Sequence, residues 1–336
     1  MKEEELISII QKQILNVLLE TNLEGYGEKK SGKVRDLYNY DDKIIIVTSD
    51  RISAFDVILK QGIPYKGQAL NQTSEFWFNA TKKIMKNHII SVPDPNITIA
   101  QRCKPLELEV IIRGYITGSA WRRYKQLQEN NEPLVISGVE FPSDLRKDEK
   151  LPEPVFTPTT KATSGHDEEI SYEEIVEKGI VSQEILERIM STAFKLFAEG
   201  NRVVGKQGGI LVDTKYEFGL NPNGELVLID EIHTADSSRY WLSEFYNERF
   251  EKGESQRGLD KEFVRNWLRE NGFSGEGKVP NLHDTVIIQA ALNVIKAYEL
   301  ITGQNFNPSE ESTTNERLHK NLDNFFNKNL KLHKKN

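Results

Sequence analysis

Ile210-Leu-Val-Asp213-Thr-Lys215-Tyr-Glu217-Phe-Gly219 runs, through Asn221-Pro222-Asn223-Gly224, into Leu226-Val-Leu-Ile-Asp230-Glu-Ile-His233-Thr-Ala-Asp236-Ser237-Ser-Arg239-Tyr-Trp241. Two β-rich runs around Asn-Gly form the strongest short-range hairpin signal. Side chains alternate along a strand, so Asp213, Lys215 and Glu217 share one face of the first run. Asp230 shares a face with Leu226 and Leu228 on the second. With the turn apex between Pro222 and Asn223, Glu217 pairs opposite Leu228. Asp230 then falls one diagonal step away, within reach of a shared ion. A half-exposed hairpin with solvated charges carries the same alternation, so the pattern alone leaves both readings open.

The rest of the chain bounds the function classes. Its 336 residues suit two domains, or one domain of two lobes. Charged residues are 28% and apolar ones 38%, the balance of a soluble globular chain, and the net charge of −7 argues against a general nucleic-acid binder. A local basic pocket for a phosphorylated metabolite remains compatible with that balance. Cys103 is the only cysteine, which excludes a disulfide framework and a cysteine-based zinc site. No apolar run approaches the ~20 residues of a membrane span. The acidic Met-Lys-Glu-Glu-Glu start is unlike a secretory or transit peptide, and a reducing cytoplasm is the expected setting.

Outward from the hairpin, Leu6, Ile10, Ile14, Val17 and Leu18 recur at helical spacing. Gly27 to Lys33 spells G-x-x-x-x-G-K, but Val34 stands where a P-loop needs Ser or Thr. A helix also precedes the stretch and a strand follows it, the reverse of a P-loop's context. A glycine-rich turn between strands that covers phosphates with its N–H groups and Lys33 fits better, beside the plainer reading of a surface turn. Strand Lys43–Val47 leads into Thr48-Ser49-Asp50-Arg51-Ile-Ser53-Ala-Phe-Asp56, a loop that offers ligand groups or ordinary turn residues. Pro105–Arg113 alternates, with Glu107, Glu109, Ile111 and Arg113 on one face. A helix begins near Ser119, where Arg113, Thr117 and Ser119 surround an N-terminus able to hold an anion. Residues 129–158, rich in Pro, Gly and acids, read as loop, as does Phe156 to Glu169. Helices are expected at Thr73–Met85, Ile180–Ala198, Phe263–Leu268 and Val286–Leu300. After a polar linker, Leu318, Leu322, Phe325, Phe326 and Leu330 make a basic amphipathic helix that could cover this chain or a partner.

Ser-Gly-Lys33-Val-Arg35-Asp-Leu-Tyr, Thr-Ser49-Asp50-Arg51-Ile-Ser53-Ala-Phe-Asp56, Leu108-Glu-Val-Ile-Ile-Arg113-Gly-Tyr-Ile-Thr-Gly-Ser119-Ala-Trp, Phe156-Thr-Pro-Thr-Thr-Lys161-Ala with Gly165-His-Asp-Glu, Val212-Asp-Thr-Lys-Tyr-Glu-Phe-Gly and Asp236-Ser-Ser-Arg-Tyr-Trp resemble, in order, the SAICAR synthetase family of purine biosynthesis. Each motif alone is weak; the ordered set is specific, and its long Phe156–Glu168 loop resembles the yeast-type branch.

The resemblance implies an α+β, two-lobed fold, with an antiparallel-sheet N-terminal lobe (1–105), a mixed α/β C-terminal lobe (106–305), a tail (306–336) and an ATP site in the cleft. It also implies an ATP-dependent ligase that joins L-aspartate to the carboxylate of the ribonucleotide CAIR, giving SAICAR, ADP and phosphate through an acyl phosphate. By match to the family's motifs, Lys33, Arg35, Leu106 and Glu109 fall to ATP, and Glu217 and Asp230 to Mg²⁺. Arg113, Ser119, Lys215, Ser237 and Arg239 fall to the ribonucleotide, with Lys215, Arg239 and Asp213 at the reacting centre. Ser49, Asp50, Arg51, Ser53, Asp56, Lys161, His166 and Asp167 lie in loops assigned to aspartate or substrate. No nucleic-acid or membrane partner is expected, and a monomer is the working expectation. His233 and Ala235 replace the family's usual aliphatic residue and proline, and His233 reads as a packing substitution. A kinase-like small-molecule phosphotransferase is the alternative, although the sequence lacks the H-R-D of a catalytic loop. A non-enzymatic nucleotide-binding protein is the other.

Overall fold

The computed structural model describes residues 2–55, 57–161, 168–259, 261–309 and 315–333, the side chains of 329–333 excepted. The chain divides into two compact units: Met1–Phe76, His88–Arg102 and Leu259–Asn336 in one, Trp77–Asn87 and Cys103–Gly258 in the other.

In the first unit α1 (Glu3–Gln13) buries Leu6 and Ile10. The expected run to Leu18 stops early: residues 14–16 form a single 3-10 turn and Val17 is extended. Leu18 therefore packs in a different cluster from Leu6. The chain continues through β1 (Glu28–Ser31), β2 (Arg35–Tyr40), β3 (Lys43–Thr48), β4 (Arg51–Ala54), β5 (Val57–Gly62), α2 (Lys66–Ala80), β6 (Ile89–Asp94) and β7 (Ile97–Gln101). Five of these strands make an antiparallel sheet in the order β1-β2-β3-β7-β6, and β4 pairs with β5.

The second unit holds β8 (Lys104–Tyr115), α3 (Gly118–Glu129), β9 (Val135–Ile136), β10 (Val139–Glu140), β11 (Lys150–Phe156), β12 (Thr159–Thr160), α4 (Tyr172–Glu177), α5 (Gln183–Gly205), β13 (Gly209–Leu220), β14 (Leu226–Ile229), β15 (Ser238–Leu242) and α6 (Ser243–Glu251). Its sheet runs β11-β8-β13-β14, with β12 also on β8 and β15 also on β13. Strand β11 lies in the stretch expected to be loop. Pro152 and Pro154 cannot donate to a ladder, so the segment sits at the sheet edge with a register break between Lys150 and Val155. Helix α5 lies close on β13: a Cβ at Gly200 would come within 2.7 Å of the His233 ring and 2.6 Å of Leu211.

The opening hairpin forms with a different register. Asn221 Oδ1 accepts from the N–H groups of Asn223 (3.0 Å) and Glu225 (2.9 Å), which makes 221–225 a loop centred on Asn223. Glu217 consequently faces Ile229 rather than Leu228.

The expected lobes were 1–105 and 106–305; besides Trp77–Asn87, the second unit comprises Cys103–Gly258. Helices α7 (Glu262–Glu270) and α8 (Asp284–Thr302) return to the first unit, where Val264, Leu268, Ile287, Ala291 and Ile295 pack with Leu6, Ile10, Ile52 and Leu59. By length and composition α8 is apolar enough to cross a membrane; here it is core. Helix α9 (Asn315–His333) is the expected tail helix and covers the first unit's sheet. Leu318 and Leu322 are fully buried against Leu18, Ile45, Val47, Ile97 and Ile99. Arg317 bridges to Asp94 and Asn96, and the Tyr26 hydroxyl donates to Asp323.

Candidate active site

The two longest strands of the second unit, β8 and β13, pair antiparallel with Asp213 opposite Arg113, Lys215 opposite Ile111 and Glu217 opposite Glu109. On its other side Asp213 faces Arg239 of β15. Period-two alternation thus brings Glu109, Arg113, Asp213, Lys215 and Glu217 onto one face. Each of the four buried members, Glu109, Arg113, Asp213 and Glu217, has only 8–9% of its surface exposed. Charges this buried need partners, and the row supplies them internally. Lys215 Nζ donates to Glu109 at 2.5 Å and to Glu217 at 3.3 Å. The Lys161 ammonium bonds the second Glu217 oxygen. Burial alone would depress the Lys215 ammonium, but Glu217, Glu109 and Asp230 outweigh it and hold its pKa above the ordinary lysine value. Asp230 follows β14 directly, in the left-handed region (φ 69°) that turns the chain out of the strand. Glu217 faces Ile229, the residue just before Asp230, so both carboxylates lie at the same end of the hairpin.

At the other end of the row, one Asp213 oxygen receives both Arg239 and Arg113, the latter at 3.5 Å. Arg113 is also held by Thr157 (Nε to Oγ1, 2.8 Å) and reaches Ser119 Oγ at 3.3 Å. Burial pulls its guanidinium below the usual arginine range, against an upward push from Asp213. Gly118, the first residue of α3, has φ +58°, and a Cβ there would strike the Arg239 guanidinium at 2.5 Å. Two guanidinium groups and a serine hydroxyl therefore gather at the start of a helix, an arrangement suited to an oxyanion.

Several expected residues have surroundings of their own within the protein. Glu109, matched to ATP, is paired with Lys215 and lies 3.4 Å from the Thr159 hydroxyl. Leu106 is half-buried, and alternation puts it on the opposite face of β8 from Glu109. The Thr117 hydroxyl bonds Asp148 instead of facing the anion corner. Ser237 bonds within its own turn, receiving the Thr234 N–H at 3.3 Å. His233 is fully buried against Trp77, its Nε2 2.6 Å from the Tyr216 hydroxyl, as a packing residue would be. Burial lowers its pKa to about 3, which keeps it neutral. Asp56, His166 and Asp167 lie outside the described residues. Gly118, Thr157 and Thr159 were not singled out as site residues; the two threonines lay in a motif read as loop, and nothing in the sequence announced the close approach at Gly118.

Within the first unit, the Gly/Lys turn between β1 and β2 is closed by the Gly32 N–H on the Arg35 carbonyl at 2.7 Å. Lys33 is exposed and Arg35 half-buried. The loop expected to meet substrate also supports this turn. Ser49 donates to the Val34 carbonyl (2.7 Å). Arg51 donates to the carbonyls of Gly32 (3.2 Å), Lys33 (3.2 Å) and Leu19 (2.6 Å) and to both Asp36 oxygens. Asp50 accepts from the N–H groups of Leu18 and Gly67, both at 2.9 Å, and its burial pushes its pKa up to about 6. Ser53 stays partly exposed on β4.

Residues 28–282 match the model of the SAICAR synthetase family. The chain belongs to the SAICAR synthetase family. Among relatives, the phosphoribosylaminoimidazole-succinocarboxamide synthase of Bacteroides thetaiotaomicron is 46% identical over 320 residues, covering 94% of this chain and all of that protein. That of Legionella pneumophila (strain Paris) is 46% identical over 312 residues, covering 91% and 97%. The solved SAICAR synthase of Saccharomyces cerevisiae complexed with SAICAR is similar with a TM-score of 0.75 at 34% identity, covering 86% of this chain and 99% of that one. A SAICAR synthetase in complex with ADP matches with a TM-score of 0.64 at 27% identity, covering 83% of this chain and all of that one. Membership makes the protein an ATP-dependent ligase of purine biosynthesis, and the matches do not favour the kinase-like alternative.

Proposed function

We propose that the face of the β8–β13 pair is the reacting centre of this ligase. The observation that carries the reading is the register that seats Arg113, Asp213 and Arg239 at one end of the face and Lys215, Glu109 and Glu217 at the other. Arg113, Ser119, Ser237 and Arg239 bind the phosphate-bearing ribonucleotide CAIR, with Asp213 fixing both guanidinium groups. Lys33 and Arg35 bind the ATP phosphates. Of the loop residues, Lys161 and Ser53 keep a substrate role, while Ser49, Asp50 and Arg51 are support.

Glu217 and Asp230 fit a magnesium ion. They offer the hard oxygens it takes, one or two carboxylates suffice when phosphate and water complete its shell, and the pairing of Glu217 with Ile229 sets Asp230 one residue away. When bound, the ion supplies charge neutralisation to the phosphates.

The chemistry follows from what a carboxylate lacks, a leaving group. A CAIR carboxylate oxygen attacks the γ-phosphorus, the bond to ADP breaks and ADP leaves with the electron pair. The aspartate amine then attacks the acyl carbon, phosphate departs with that oxygen, and the nitrogen gives up a proton. Lys215 places positive charge where both steps build negative charge, Arg239 holds the ribonucleotide's phosphate, and the pocket acts by orientation more than by a protein nucleophile. Soluble metabolites as substrates fit a cytoplasmic setting. An assay of ADP release with ATP, CAIR and aspartate omitted in turn tests the reading; release that continues beyond one equivalent per enzyme without CAIR or without aspartate sinks it.

A further inference from the structure

Thr117 is the N-cap of α3, with extended backbone (φ −150°, ψ 178°), yet its side chain makes no capping hydrogen bond. Serine or threonine at that position ordinarily turns its oxygen back onto an N–H of the first turn. Ser171 and Ser182 do so for α4 and α5, accepting from Glu174 and Ile185. The Thr117 hydroxyl instead donates to Asp148 Oδ1 at 2.6 Å, in a pair with 5% and 4% exposure. Asp148 is fixed independently. Its N–H donates to the Ile116 carbonyl at 2.8 Å, its own carbonyl accepts from the Tyr246 hydroxyl at 3.1 Å, and its φ is +66°. A side chain disfavours that left-handed conformation, and the fold retains it. The consequence is a helix that presents first-turn amides without a side-chain cap, beside the Arg239 guanidinium that fills the space a Gly118 Cβ would need.

We infer that Asp148 is a positioning residue for anion binding: it holds the Thr117 hydroxyl off the cap, so that the first-turn amides of α3 stay available to the substrate phosphate. The inference rests on the proposal that this corner holds the ribonucleotide phosphate.

Calorimetric titration of SAICAR and, separately, ADP into the full chain tests it. Asp148→Gly removes the carboxylate while tolerating the positive φ, and the released Thr117 hydroxyl then caps the helix. SAICAR affinity is expected to fall about tenfold, with ADP affinity held within about twofold. Thr117→Ala added to Asp148→Gly leaves no oxygen to cap, and SAICAR affinity should return to within about threefold of the parent chain. A merely structural role predicts the opposite, a double variant weaker than either single one. Asp148→Asn keeps both an acceptor and tolerance of the left-handed region, and Thr117→Ala alone removes the competitor; both should bind SAICAR like the parent chain. These two read the inference even if Asp148→Gly does not fold, and a loss of SAICAR affinity in Thr117→Ala overturns it. If Arg239→Ala leaves SAICAR binding intact, the phosphate site itself is wrong. If Arg239→Ala weakens it and Asp148→Gly does not, only the role of Asp148 falls.

Discussion

Arg51 in the first unit and Arg113 in the second are both buried, each beside an acid, and both belong to family motifs. Their bonds end differently. Arg51 places all five donor bonds on three backbone carbonyls and the two oxygens of Asp36. Arg113 ends on two hydroxyls and on an aspartate that it shares with Arg239. Backbone carbonyls cannot be surrendered to a ligand without undoing the turn they belong to. Hydroxyls and a shared carboxylate can re-pair around an incoming anion at little cost. On the proposed reading, what a guanidinium is bonded to, rather than its burial, separates support from site.

Arg51→Ala is the strongest way to break this contrast. Removing one partner of a buried ion pair costs about 3–5 kcal/mol, so the urea midpoint should drop steeply, while protein that remains native still binds SAICAR. A near-normal midpoint with lost turnover would return Arg51 to the substrate. Arg239→Ala should do the reverse. Loss of a charge contact made in the transition state predicts about a hundredfold fall in kcat/KM for CAIR, roughly 2.7 kcal/mol. KM for ATP and the melting temperature should move little. Equal effects on both substrates would dissolve the assignment.

Protonation sets apart two buried groups, one in each unit. His233 in the second unit has its pKa lowered to about 3 by burial. The unfolded chain, with histidine near about 6.5, takes up that proton first as pH falls. Stability is therefore lost below that value, at a slope approaching about 1.4 kcal/mol per pH unit. Asp50 in the first unit, pushed up to about 6, has the opposite sign: between the ordinary carboxylate value and 6 the folded state holds the extra proton, so acid favours it. His233→Leu should flatten the fall in urea midpoint between neutral pH and pH 5, and an unchanged slope would mean that another group carries it. The smallest effect is expected at Asp323→Ala, which removes the Tyr26 partner. About 1 kcal/mol of stability should be lost, with hydrogen exchange quickened on β1, β2 and α9 and unchanged on β13.

The sequence made β8, β13 and β14 legible because their alternation is a local property, and it put Asp213, Lys215 and Glu217 on one face for the same reason. The hairpin register slipped by one position because the Asn221 side chain, not the Asn-Gly pair, sets the loop. Strand β11 was hidden by its prolines, which mark edges and loops alike. The partners of Ser49, Asp50 and Arg51 were illegible for a deeper reason. Its partners are mostly backbone atoms of Leu18, Leu19, Gly32, Lys33, Val34 and Gly67, and backbone atoms have no letter in a sequence. The destination of the tail helix was illegible too, since an apolar stripe shows that a face will be covered and not by what.

That helix bears on the order of events during synthesis. Tyr26 and Asp323 are 297 positions apart, yet they close one cluster over the first unit's sheet. At about 5–20 residues per second on the ribosome, the second unit is complete while Leu18, Ile45 and Ile97 still await their cover. The strands that carry the Gly/Lys turn are thus the earliest made and among the last protected, and that interval is when a nascent chain of this protein has most need of a chaperone.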